Sequence, residues 1–190
     1  MEYLIIENKA FDKNNFTQTL LLKAEYESCT FTNCDFSNTN LSDIKFLNCE
    51  FLNCNLSLVK LNKTAFRDVQ FKNSKLVGLL FENCNSFGLS FSFDNCNLHL
   101  SSFFNTKIKK TIFKNSQLHE VDFIKCDLTQ SVFSNCDLKD AKFENTILEK
   151  VDFQTAFNYC IDPEINKIAK AKFSSQGLAG LLYKYDIEIN

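Results

Sequence analysis

The chain has 190 residues, a formal net charge of -2, nine cysteines, 21 phenylalanines, no tryptophan, four glycines and one proline. That length suits one domain, and so mild a negative charge excludes the strongly basic face that a nucleic-acid ligand demands. The opening apolar run Tyr3–Ile6 is too short for a signal peptide, and no apolar stretch approaches the roughly 20 residues that span a bilayer. A cytoplasmic protein with reduced thiols is expected.

Glycine and proline are too scarce to punctuate an ordinary set of turns. From Phe11 onward large apolar residues instead recur every fifth position: Phe16, Leu21, Tyr26, Phe31, Phe36, Leu41, Phe46, Phe51 and so on to Phe81. A helix repeats at 3.6 and a strand at 2, so neither makes this step. Five residues are therefore one short side of a polygon. Two positions before each large residue stands a small one, among them Cys29, Cys34, Thr39, Cys49, Cys54, Thr64 and Ser74. Alternation by two is the strand rule, so this second residue also points inward.

A longer period overlies the short one. "FTNCDF" at Phe31 returns as "FLNCNL" at Phe51, "FKNSKL" at Phe71, "FDNCNL" at Phe93, "FKNSQL" at Phe113 and "FSNCDL" at Phe133. Twenty residues divided by five gives four sides per turn. The expectation is an all-β, square-section parallel β-helix of about seven coils, roughly 35 Å long at the spacing of strands. Its N-terminal cap and coils occupy residues 1–157. The phase slips by two in "NSFGLSFSF", Asn85–Phe93, where Ser86 takes a large residue's slot beside Gly88. That reads as a bulge at one corner.

At this point the chain resembles the pentapeptide-repeat family, whose pattern A(D/N)LXX fits "CDFSN", "TNLSD", "CNLSL", "CDLTQ" and "CDLKD" with Cys or Thr in place of Ala. The resemblance spans about residues 11–157 and implies a right-handed quadrilateral β-helix.

Eight cysteines occupy the small inward slot and only Cys160 does not, which favours packing as small hydrophobes. Serine takes the same column at Ser74 and Ser116, there is no CxxC, and a column does not converge on a point, so no metal or other cofactor is expected. Asn33, Asn53, Asn73, Asn95, Asn115 and Asn135 also stack and are expected to form an amide ladder shaping a corner. His99 and His119 face outward on neighbouring rungs. No catalytic triad, phosphate-cradling loop or HExxH appears, so neither an enzyme nor a small-molecule substrate is expected. Outward apolar pairs, Phe104 with Ile124 and Ile112 with Val132, suit a protein partner.

After Phe153 the beat fades. Asp162 and Pro163 suggest the cap and first residue of a helix. Ser174 or Ser175 suggests the cap of a second, whose Leu178, Leu181, Leu182 and Tyr185 form one apolar stripe. Residues 158–190 are thus expected to cap the last coil and to pair two copies into a homodimer.

This ending resembles bacterial pentapeptide-repeat proteins of the quinolone-resistance type. There a C-terminal segment pairs two rods into a mimic of B-form DNA that binds DNA gyrase or topoisomerase IV. The resemblance puts dimerisation on the four stripe residues; from the charge and the short apolar runs, no direct nucleic-acid or membrane partner is expected. The candidate partner-binding acidic surface is Glu120, Asp122, Asp127, Asp137, Asp140, Glu144, Glu149 and Asp152, set against Lys125, Lys139, Lys142 and Lys150. The alternative is a β-helical scaffold for another protein.

Overall fold

The structure, a computed structural model, describes residues 4–185, 187 and 188. Eleven short strands run β1 (Ile5–Glu7), β2 (Ala10–Asp12), β3 (Glu25–Glu27), β4 (Thr30–Thr32), β5 (Lys45–Leu47), β6 (Glu50–Leu52), β7 (Ala65–Arg67), β8 (Val69–Lys72), β9 (Phe91–Asp94), β10 (Ile112–Lys114) and β11 (Val132–Ser134). They form two parallel sheets, β1-β3-β5-β7 and β2-β4-β6-β8-β9-β10-β11. Partners lie one coil apart: Phe31 opposes Phe51, and Phe71 opposes Phe93 across the slip. Single parallel bridges carry the other two sides, as in Asn15–Asp35–Asn55 and Leu80–Ser102–Asp122–Lys142. The four-sided solenoid that the five-residue step implies is what forms.

We number the faces by their inward columns. Face 1 is the seven-stranded sheet, with the Phe31–Phe51 column. Face 2 follows Phe36 and Leu56, face 3 follows Leu41 and Leu61, and face 4 follows Tyr26 and Phe46, all buried.

The face 1 column is longer than the sequence suggests. Its rings run without a break from Phe11 through Phe31, Phe51, Phe71, Phe93, Phe113, Phe133 and Phe153 to Phe173, with centroids 4.7–5.4 Å apart and near-parallel planes. Rung spacing imposes that separation, since one ring per rung must sit on the next.

The corners explain the missing glycines. A left-handed residue recurs at five-residue steps, two positions after the large inward one, and nearly all of these are not glycine. Asn33, Asn53, Asn73, Asn95, Asn115 and Asn135 have φ of 50–54°. Asn tolerates this region because its short amide bonds locally, and Gly is the usual alternative. Each such N–H also donates to the next coil, for instance Asn33 N to Leu52 O at 2.9 Å and Asn53 N to Lys72 O at 3.0 Å. The amides bond up and down only in part: Asn53 to Asn33 (3.3 Å), Asn95 to Asn73 (2.8 Å) and Asn135 to Asn115 (3.2 Å), with Asp94 accepting from Asn115 (2.9 Å).

The slip is a bulge between faces 3 and 4. After a 3-10 turn at Phe81–Asn83 the chain swings out through Ser86 and Phe87, turns at Gly88 (φ +67°) and re-enters at β9. Ser86 is exposed, and Phe91 (6% exposed) turns inward instead, against Phe81 and Phe93. The four-stranded sheet ends here.

The helix expected from Asp162 and Pro163 does not form. Residues 158–173 make another coil: Lys167 pairs with Ile147, Lys172 with Asp152, and Asn158 and Lys170 turn left-handed corners. The expected boundary at 157 falls inside this ladder. A solenoid end leaves a row of unpaired backbone groups, and pairing it stabilises more than an isolated helical turn would. Asn166 takes the small slot, donating to Phe143 O (2.7 Å) and accepting from Thr146 N (2.9 Å). Helical structure comes later, as a 3-10 turn Gln176–Leu178, helical turn α1 (Ala179–Leu182) and a 3-10 turn Tyr183–Tyr185. Ser174 Oγ accepts from Gly177 N at 3.0 Å. This segment lies on Tyr159 so closely that a Cβ at Gly180 would meet Tyr159 O at 2.1 Å.

Candidate functional site

The inward cysteines have a donor role that size alone does not reveal. Cys29, Cys49, Cys54 and Cys96 donate Sγ–H to Ile6, Tyr26, Phe31 and Phe71 carbonyls of the preceding coil at 3.2–3.3 Å. Ser74 and Thr64 do the same with hydroxyls, to Phe51 O (3.3 Å) and Leu41 O (2.8 Å). Cys, Ser and Thr therefore interchange in this slot as small donors. Burial pushes the Cys49, Cys54, Cys126 and Cys136 thiols up to about 12. They are protonated at neutral pH and poor nucleophiles or ligands. Cys84, beside the slip, is half-buried, and Cys160 is exposed. Among the described residues no group of three or more His, Cys, Asp or Glu is placed to hold a metal ion.

The eight candidate acidic residues do not share a face. Asp152 lies on face 1 and Asp137 on face 2. Asp122 and Glu144 lie on face 3, Asp127 and Glu149 on face 4. Glu120 and Asp140 are left-handed corner residues between faces 2 and 3. Four of the eight build the corners: Oδ1 of Asp122, Asp127, Asp137 and Asp152 accepts from the N–H two residues on, at 2.7, 3.1, 3.2 and 3.0 Å. This Asx turn is what the (D/N) of the repeat does; Asn55 and Asn97 perform it without charge. Three of the four also face basic side chains: Asp127 Oδ2 is 3.1 Å from Lys109 Nζ, Asp137 Oδ2 is 2.8 Å from His119 Nε2, and Asp152 Oδ2 is 3.4 Å from Lys172 Nζ. For Asp137, partial burial raises the carboxyl pKa. The close approach of His119 and the hydrogen bonds from Asn158 and Lys139 N–H outweigh it and leave a net lowering. His99 Nδ1 lies 3.2 Å from His119 O, so the two histidines are rung neighbours.

The C-terminal stripe splits in two. Leu178 (47%), Leu182 (37%) and Tyr185 (52%) are exposed, whereas Leu181 packs against the solenoid core. Lys184 straps the segment down through Asp162 (2.8 Å) and Glu164 (2.7 Å), and the Tyr185 hydroxyl donates to Glu164 at 3.0 Å.

Exposed apolar residues on neighbouring rungs gather elsewhere, along the face 2–face 3 corner. Leu58 (58%) and Leu100 (52%) sit at left-handed corner positions on either side of Gly78, with Leu80 (46%) between them on face 3 and Phe104 (39%) beyond. Leucine in this conformation costs about 1–2 kcal/mol. Phe104 was visible in the sequence as an outward apolar residue. The two leucines were not, because nothing in the local sequence marks their corner positions as left-handed. Ile112 (49%) and its ladder partner Val132 lie apart on face 1.

The fold is a four-sided parallel β-solenoid whose inward residues keep the repeat. The model of the pentapeptide repeat region matches residues 24–92 and 79–153, and the chain belongs to that family. No curated protein matches it. Among solved structures it is similar to a trypsin-treated form of QnrB1, a plasmid-mediated fluoroquinolone resistance protein: 19% identity, 99% of this chain, 98% of that one, TM-score 0.47. It is also similar to HetL, a pentapeptide repeat protein involved in heterocyst differentiation regulation in the cyanobacterium Nostoc: 13% identity, 90% of this chain, 87% of that one, TM-score 0.39. A third is Rfr23 from the cyanobacterium Cyanothece: 14% identity, 75% of this chain, 86% of that one, TM-score 0.20. At such identities family membership rests on the repeat itself. Among the described residues no helix is long and apolar enough to cross a membrane.

Proposed function

We propose that this protein is a non-enzymatic, cytoplasmic protein-binding module. The observation that carries the reading is the apolar strip of Leu58, Leu80, Leu100 and Phe104 around Gly78. Apolar residues clustered on adjacent rungs mark a contact surface in a way that scattered ones do not. The solenoid core fixes their spacing in advance, so docking orders little of the protein.

The finer reading takes DNA gyrase or topoisomerase IV as the partner and fluoroquinolone resistance as the outcome, through mimicry of DNA. Its support is the repeat family and the likeness to QnrB1 in kind. The exposed Leu178, Leu182 and Tyr185 would join two copies end to end. The eight acidic residues would then lie toward the centre of the dimer. Because the carboxylates are spread over four faces and several are paired, apolar contact carries more of this reading than charge. The other reading is a scaffold for a different protein, and the strip serves both.

Two measurements test it. Purified protein should change gyrase supercoiling, or its inhibition by a fluoroquinolone, and Leu80→Asp with Leu100→Asp should remove the effect. No effect at large excess over gyrase refutes the topoisomerase partner. Sedimentation should give a dimer that Leu182→Asp dissociates. A monomeric wild type refutes the paired rod.

A further inference from the structure

The slip opens a cavity of about 520 Å³ whose lining includes Phe81, Glu82, Ser86, Phe87, Leu89 and Lys107. That size falls within the range of small-molecule sites. Its walls are apolar where the bulge meets the core: Phe81 is fully buried and Leu89 packs against the core cluster. Phe87 is 75% exposed, with one face under the Arg67 guanidinium at 5.1 Å from the ring centroid. Two opposite charges stand in this lining. Glu82 Oε1 accepts from Ser102 Oγ at 3.0 Å, while Oε2 is buried and has no partner among the described residues. Lys107 is exposed and makes no ion pair among the described residues. A buried carboxylate oxygen without a donor is costly, and a ligand that supplies one recovers that cost.

We propose that this cavity binds a small zwitterion with an apolar body, of the class of a free apolar α-amino acid. Its ammonium donates to Glu82 Oε2, its carboxylate meets Lys107, and its side chain lies among Phe81, Phe87 and Leu89. The two-residue insertion is what makes room for it, since an uninterrupted coil would place a large inward residue at position 86. The site lies toward the face 3–face 4 corner and shares no residue with the strip of Leu58, Leu80, Leu100 and Phe104, so its ligand can be tested independently of the protein-binding reading.

Calorimetric titration of the full chain with L-phenylalanine tests it, beside phenethylamine, which lacks the carboxylate, and 3-phenylpropionate, which lacks the ammonium. Saturable binding of phenylalanine is expected, with each single-charge analogue weaker by at least about tenfold. Glu82→Gln, which keeps an acceptor for Ser102, and Lys107→Ala should each weaken phenylalanine by a similar factor, with the circular dichroism spectrum unchanged. Absence of saturable binding through the millimolar range overturns the proposal. So does equal binding of all three compounds, or binding indifferent to both substitutions, which would leave apolar filling of the cavity as the whole effect.

Discussion

Phe113→Ala should be among the most damaging single substitutions in this protein. The ring is fully buried. It stacks on Phe93 at 5.2 Å and Phe133 at 4.7 Å, and meets Phe103 and Phe123 edge-on, both at 5.9 Å. Truncating a core Phe to Ala costs about 3–5 kcal/mol. Because the contacts above and below are rings held at rung spacing, a neighbour cannot collapse into the gap without leaving its own rung. The cost should therefore lie near the upper end, about 5 kcal/mol, a large share of a typical domain's stability of about 5–15 kcal/mol. Phe11→Ala is the control. Phe11 is half-buried and stacks on one side only, against Phe31 at 4.8 Å. Its loss should cost about half as much, since a solenoid residue is stabilised mainly by its nearest coils. Phe113→Leu should cost under about 1.5 kcal/mol, because the neighbouring column already uses Leu at this depth, as in Leu118. Urea unfolding followed by circular dichroism measures all three. Equal costs for Phe11→Ala and Phe113→Ala, or a cost below about 2 kcal/mol for Phe113→Ala, would refute the stacked-column account.

The remaining predictions concern the corners, thiols, acid limb and cap. Leu58→Asn should stabilise by up to about 1 kcal/mol, by putting a residue that tolerates φ of 58° where Leu is strained; a destabilised variant in the same urea assay would show that the leucine packs. Iodoacetamide with intact-mass analysis of folded protein should label Cys160 first and Cys84 slowly, leaving the buried thiols untouched until urea is added; rapid labelling of Cys49 or Cys54 would contradict their burial. The folded pKa of Asp137 is lowered, so its contribution is fully present above the ordinary carboxylate range of about 4 and is lost as pH falls through the lower folded value. Asp137→Asn keeps the corner hydrogen bond and should therefore differ from wild type at neutral pH and converge with it once acid has protonated the folded carboxyl; a gap that persists unchanged into acid would count against the carboxylate. Finally, Leu181→Asp should lower the urea midpoint even of dilute, dissociated protein by uncovering the last coil, whereas Leu182→Asp should leave that dilute midpoint unchanged and act only on association. The reverse pattern would reverse their assigned directions.

The five-residue step was enough to read the architecture, because two inward residues per side leave no freedom about which face is buried. The final coil was harder. Ile168 and Phe173 keep the step, but Asn158 and Pro163 fall on the intervening beats, and Asp162-Pro163 imitates a helix start. Ladder pairing with Ile147 and Asp152 overrode that local signal. The acidic cluster misled in another way. Adjacency in sequence says nothing about facing when the chain turns a corner every five residues. Nor does it separate a surface carboxylate from one that builds an Asx turn.

The sequence by itself determined the inside of this protein: four sides per coil, one large and one small residue on each, and a break after Phe81. Those follow from periods, and a period is a property of the chain. Only the tertiary structure decided the outside. It set which residues carry the left-handed corners and which acids are neutralised. It turned Leu181 inward while leaving Leu182 exposed, and opened a cavity at the slip. These depend on which coil lies above and below each residue, and on hydrogen bonds between residues some 20 positions apart, which no local pattern encodes.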